Sequence, residues 1–178
     1  MLFHSLLTKN TQNRETSMAK QKEIKTNAMR ILDKLKIEYE HQSYESDEFT
    51  DGRQTADKLK LPYELVYKTL VTVGKSNQYF VFVIPIDEEL DMKKAAKAVG
   101  EKSVAMIHVK DLTSVTGYVR GGCTAIGMKK PYQTVVSDTA EEWEQIYVSG
   151  GKIGCQLKLR PDDLCRAAKA GYGDIIVK

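Results

Sequence analysis

Cysteine and histidine are scarce in this 178-residue chain, with three of each: Cys123, Cys155 and Cys165, and His4, His41 and His108. An odd number of cysteines without paired spacing is no disulfide framework, and a reducing cytosol is the expected compartment. No two of these residues stand at zinc-ligand spacing, so no metal site is expected. No run approaches the ~20 apolar residues of a membrane span, which leaves no membrane role. The first segment, MLFHSLLTKNTQNRETS, lacks the longer apolar core and small-residue cleavage site of a secretory signal. Residues 1–17 are therefore expected to be a disordered extension, with Met18 resembling a second start and the domain running over 18–178. Also missing are a GxSxG elbow, a P-loop and a GxGxxG turn between strand and helix. A net charge of +3 is too small to argue for nucleic acid by itself, yet an enzyme touching one end of an RNA needs few phosphate contacts.

What is present is enough apolar residue for one core and a clear punctuation of elements. Ile24, Ala28, Ile31, Leu32 and Leu35 share one face of an amphipathic helix. Residues 37–44 read as a strand, 52–60 as a helix with Asp51 as N-cap, and Pro62 as the opening of a short helix. KTLVTVG and YFVFVIPI, joined by KSNQ, form a predicted hairpin whose second arm is apolar on both faces and so belongs inside a sheet. Asp91 caps a helix over 92–99 that Gly100 ends. Strands are predicted at 103–108 and 134–138, a helical start at 141–145, and two strands on either side of a Ser-Gly-Gly turn. A helix from Pro161, stopped by Gly171, and a terminal strand, DIIVK, complete the pattern. Strands and helices do not alternate regularly, so the expected fold class is α/β (α+β): a mixed, curved, barrel-like sheet flanked by helices.

Three clusters stand out as candidate chemistry: VYKTLV at 66–71, GYVRGGCTAIG at 117–127 and YVSGGKIG at 147–154. Lys68 opens a strand, where its ammonium either enters a pocket to hold an anionic or carbonyl oxygen or snorkels to solvent. It shares a strand side with Leu70, while Thr69 and Val71 share the other. The glycine loops either bring bare backbone N–H groups close to a ligand or make tight turns at sheet corners. Thr124 and Ser149 beside them add hydroxyls. Cys123 is either a nucleophile, for which no histidine partner is evident, or a small half-buried residue.

In order and spacing, VYKTLV, LDMKKAAKAVG, TGYVRGGCTAIG and IYVSGGKIG resemble the YbaK family of aminoacyl-tRNA deacylases, related to the editing domain of bacterial prolyl-tRNA synthetases. The resemblance runs from about Lys25 to Val177. It implies the barrel-like editing-domain fold, no metal or cofactor, a cytoplasmic enzyme, and aminoacyl-tRNA as partner through its acceptor end, with a prolyl-tRNA synthetase as a further partner. The implied reaction is removal of cysteine from the tRNA for proline, the substrate's own thiol attacking its ester. Lys68 matches the family's functional lysine and Tyr44 its pocket tyrosine. Gly121 and Gly122 match the pocket floor, and Ser149, Gly150 and Gly151 the turn that holds the ester, with Thr69 beside Lys68 as a further contact. Phe49 stands near the family's phenylalanine before the second helix, where Asp51 is the strict match. Gln156 stands where many members carry Asp, which keeps hydrogen bonding but removes a charge. Three rivals follow: the same fold acting on another ester such as alanyl-tRNA through bound water, a non-catalytic tRNA or synthetase binder, and a thiol enzyme working through Cys123.

Overall fold

The computed structural model describes residues 24–46 and 48–178; residues 1–17, with the expected extension and His4, lie outside them. Helix α1 (Asn27–Lys34) begins at Thr26, whose Oγ1 accepts from the Met29 N–H at 3.2 Å. Ala28, Met29 and Leu32 are buried, but Ile24 falls before the cap and stays 79% exposed, so the apolar face is one turn shorter than its periodicity predicts. Strand β1 (Glu40–Ser43) follows, then α2 (Gly52–Leu59), started by a reciprocal capping box between Asp51 and Gln54. Pro62 opens only a 3₁₀ turn (Tyr63–Leu65), because the chain must enter a strand immediately after Val66.

The hairpin of β2 (Tyr67–Gly74) and β3 (Tyr79–Pro85) stands as expected, antiparallel with Lys68 opposite Ile84. Helix α3 (Met92–Val99) has Asp91 accepting from two backbone N–H groups and Gly100 at φ 72° behind it. Then come β4 (Val104–Met106), α4 (Leu112–Thr116), β5 (Gln133–Ser137), β6 (Ile146–Ser149), β7 (Cys155–Leu159), α5 (Pro161–Ala168) and β8 (Gly171–Gly173). The helical start at 141–145 is instead a 3₁₀ turn over Asp138–Glu142. Helix α4 is not marked in the sequence: its Thr and Val residues are weak helix formers. It holds because Val115 and Thr116 are buried and Thr116 Oγ1 donates to the Leu112 carbonyl at 2.8 Å. The last helix stops before Gly171, at Lys169 in the left-handed region (φ 52°), which frees Gly171 to begin β8. DIIVK is not a strand; Ile175 and Ile176 bury themselves beneath β3, and Ile176 makes a single bridge to Leu90.

The strands form two sheets, β1-β7-β6 and β4-β2-β3-β5-β8. The expected mixed sheet, flanked by helices, is thus built in two parts, which meet at an isolated parallel bridge between Val66 and Tyr147. Alternation along β3 explains its two apolar faces. Val81 and Val83 enter the main core with Leu32, Ile126, Val148 and Leu157, whereas Phe80, Phe82 and Ile84 pack beneath α3. At about 25 cal/mol per Å² of apolar surface, these two cores are the dominant favourable term for the fold.

Candidate active site

The Val66–Tyr147 bridge is what builds the site. Running parallel from it, the next alternate residues are Lys68 on β2 and Ser149 at the end of β6, so the two sheets deliver these side chains to one place. Ser149 in turn pairs with Gln156 across the β6–β7 hairpin, and Gln156 pairs with Gln42 of β1. Lys68, Ser149 and Gln156 wall a cavity of about 340 Å³, lined on its other sides by Thr69, Leu70, Gly121 and Cys123 and by the segment that starts α2. That volume lies at the small end of the ~300–1,000 Å³ range of ligand pockets.

Two atoms of the wall are unusual. The Ser149 Oγ and the Gln156 Oε1 are buried and have no hydrogen-bond partner among the described residues. A buried polar group without a partner costs about 1–3 kcal/mol, so two of them on neighbouring residues of one cavity wall mark a place where a water or a bound group would supply the missing hydrogen bonds. Lys68 is half-buried and its Nζ donates to the Ile86 carbonyl at 3.2 Å. Burial, and then the Arg53 guanidinium, hold its ammonium below the usual lysine pKa, against the opposing pull of Glu89, Asp87 and Glu88. It therefore does not snorkel freely, and among the described residues it makes no ion pair.

Cys123 lines the same cavity, but burial pushes its thiol up to about 11. At neutral pH it is a protonated thiol, the wrong form for a nucleophile. The Arg120 guanidinium lies 4.0 Å from the centre of the Phe49 ring, and both residues line the cavity. Gly121, at φ 84°, lets that loop turn under the pair, where a Cβ would sit 3.1 Å from the Phe49 ring. Among the described residues no three His, Cys, Asp or Glu side chains converge in a metal-binding group.

The aminoacyl-tRNA editing domain family matches residues 49–167. The chain belongs to the aminoacyl-tRNA editing domain family. An Enterococcus faecalis protein, EbsC, named as a Cys-tRNA(Pro)/Cys-tRNA(Cys) deacylase, is 41% identical over 163 residues, covering 90% of this chain and 99% of its own. Among solved structures, one described as a trans-editing enzyme for prolyl-tRNA synthetase superposes with a TM-score of 0.72 at 18% identity, over 87% of this chain and 99% of that one. A hypothetical protein superposes at 0.75 and 19% identity, over 83% and 97%. These two similarities concern the fold.

Within this editing domain the residues singled out in the sequence divide into two groups. Lys68, Thr69, Gly121, Ser149 and Gln156 line the cavity. Tyr44 does not line it; its hydroxyl is 3.1 Å from Thr55 Oγ1, and Thr55 does. Gly122, Gly150 and Gly151 lie behind the wall. A Cβ at Gly122 would come 2.9 Å from the Lys152 backbone, one at Gly150 would overlap Cys155 Sγ, and Gly151 holds φ 97° against the Tyr118 ring. Sequence reasoning missed Thr50 and Thr55, both buried and both on the cavity. Their one sequence signal is proximity to the capping Asp51, which also lines the cavity. No helix of the described residues is long and apolar enough to cross a membrane.

Proposed function

We propose that this editing-domain protein is a cytoplasmic deacylase that frees tRNA(Pro) of wrongly attached cysteine. Family membership supports ester hydrolysis on aminoacyl-tRNA, and the 41% identity to a protein named for the cysteinyl substrates supports the choice of amino acid. The observation that carries the reading is that Ser149 and Gln156, whose Oγ and Oε1 have no partner among the described residues, line one cavity with half-buried Lys68.

An aminoacyl ester is already activated, so positioning and charge stabilisation are the main requirements. In this reading the terminal ribose and its ester enter the cavity, and the Lys68 ammonium faces the ester carbonyl, where negative charge develops. The Ser149 hydroxyl donates to the ester, and Gln156 Oε1 accepts from the α-amino group. Thr69 and Gly121 bound the ester on either side. Tyr44 acts at one remove, by holding Thr55, and Gly122, Gly150 and Gly151 act by keeping the wall thin.

The nucleophile in this reading is the substrate's own thiol. The cysteine sulfur forms a bond to its ester carbonyl carbon, the carbon–oxygen bond to the ribose breaks, and the proton lost by the thiol ends on the ribose hydroxyl. The products are uncharged tRNA and a cyclic thiolactone, which water then opens to cysteine. A protonated Cys123 takes no part.

The test is a deacylation assay with cysteinyl-, seryl- and alanyl-tRNA(Pro), with trapping of the released amino acid. Fast cysteine release, a trapped thiolactone and much slower serine release are expected, because a hydroxyl is far less ionised than a thiol near neutral pH. Similar rates for all three, without thiolactone, would mean an enzyme-held water as nucleophile.

A further inference from the structure

A second concavity, of about 550 Å³, lies where the C-terminal ends of α1 and α5 meet the loop leading into β5. Lys34, Lys129, Lys130, Arg166 and Lys169 line it, and no Asp or Glu does. All five are exposed, and among the described residues none of them makes an ion pair. The whole chain carries a net charge of only +3, so five cations in one groove leave the remainder of the chain net negative.

Local structure explains part of this set. Lys34 and Arg166 stand in last helical turns, where cations are favoured, and Arg166 Nη2 donates to the Leu35 carbonyl at 2.9 Å. Lys129 Nζ donates to the Ser114 carbonyl at 3.2 Å. Lys169 caps the same end of α5, whereas Lys130 has neither explanation, and gathering it with the others adds repulsion that the fold does not require. Exposed cations of this kind hold a small anion poorly, since it remains hydrated. A polyanion instead gains by releasing its own condensed counterions.

The groove and the reaction cavity are connected through the chain. One loop walls both: Gly121 and Cys123 face the cavity, and Ala125, Gly127 and the residues after them line the groove. An RNA whose 3′ end carries the ester must leave the cavity across a neighbouring surface.

We propose that this groove binds the phosphate backbone of the tRNA whose 3′ end occupies the cavity, an inference that rests on the tRNA-editing reading above. The test uses the full-length protein with Lys34→Gln, Lys130→Gln and Lys169→Gly together, three cations that make no hydrogen bond to the described residues. Lys169 already holds a left-handed conformation that glycine adopts freely, so the fold is retained and an unchanged melting temperature checks it. Binding of uncharged tRNA(Pro) is measured against salt, beside kcat/KM on cysteinyl-tRNA(Pro) and on cysteine methyl ester, which has no RNA.

The triple variant is expected to lose about three from the slope of log affinity against log salt, about one per phosphate contact removed. Its kcat/KM on the tRNA is expected to fall at least tenfold, with the methyl ester turned over as before. An unchanged salt slope and unchanged tRNA kinetics would overturn the proposal, even if the wild-type protein deacylates normally. Undiminished RNA binding with lost capture of a prolyl-tRNA synthetase would also overturn it, by making the groove a protein interface. A wild-type protein that binds tRNA through this groove yet releases no amino acid would leave the groove standing and reject the deacylase reading instead.

Discussion

Ser149 and Gln156 stand opposite one another in the register of β6 and β7, and the side-chain oxygen of each is buried without a partner among the described residues. Neighbouring orphans of this kind are a cost to folding until a water or a ligand supplies the missing partner. Stability and function should therefore separate at these positions.

Gln156→Leu keeps the side chain's bulk and removes the unsatisfied carbonyl. Stability should rise by about 1 kcal/mol, since an apolar group replaces a buried acceptor without a partner. For a domain of this size that corresponds to roughly 2–4 °C in Tm. Deacylation should fall at least tenfold. A Tm that drops together with activity would give Gln156 a structural task instead.

Lys68→Met should leave a folded protein with deacylation lost, because the methylene stem is retained and the ammonium is not. The pH dependence follows from the lowered pKa of the buried ammonium. If the protonated form is required, wild-type activity falls on the alkaline side at a pH below the ~10.4 of a free lysine. In that same window the unfolded chain binds the proton more tightly than the folded one, so stability rises as pH rises through it. Lys68→Met should flatten that rise, which thermal melts at several pH values would detect. Full activity in a folded Lys68→Met protein would remove Lys68 from the mechanism.

Cys123→Ala should deacylate at a rate within about twofold of the wild type. With its thiol raised to about 11, Cys123 should also alkylate with iodoacetamide near pH 8 far more slowly than free cysteine. Rapid alkylation accompanied by inactivation would restore the thiol-enzyme alternative.

Gly150→Ala tests the wall rather than the ligand. Its Cβ would overlap Cys155 Sγ, the tip of a buried side chain in a strand, so overpacking of about 1–3 kcal/mol is expected. Adding Cys155→Ala should recover part of the lost Tm. A neutral single substitution would show that the turn shifts freely.

Most individual elements were legible because their signals are local. The capping Asp51 and Asp91, Gly100, the KSNQ turn and the two-sided apolar arm of β3 each act within a few residues, and each lies where the pattern predicts. The exceptions have tertiary causes. Helix α4 depends on burial of Val115 and Thr116, and β8 replaces the terminal strand because Lys169 ends α5 early and Gly171 then pairs with Val135.

For the site, the sequence by itself supplied the residue types: a lysine at a strand opening, two glycine loops and a serine beside one of them. It also supplied the ordered motifs that resemble the deacylase family. Only the tertiary structure decided which of them meet. Val66 pairs with Tyr147 across two sheets, which sets Lys68 beside Ser149, and the β6–β7 register sets Ser149 against Gln156. It also sent Gly122, Gly150 and Gly151 behind the wall and gathered the basic groove from two helix ends and a loop. The physical reason is that caps and turns are determined by hydrogen bonds among near neighbours. A cavity and its unpaired oxygens arise only when strands from distant parts of the chain come into register.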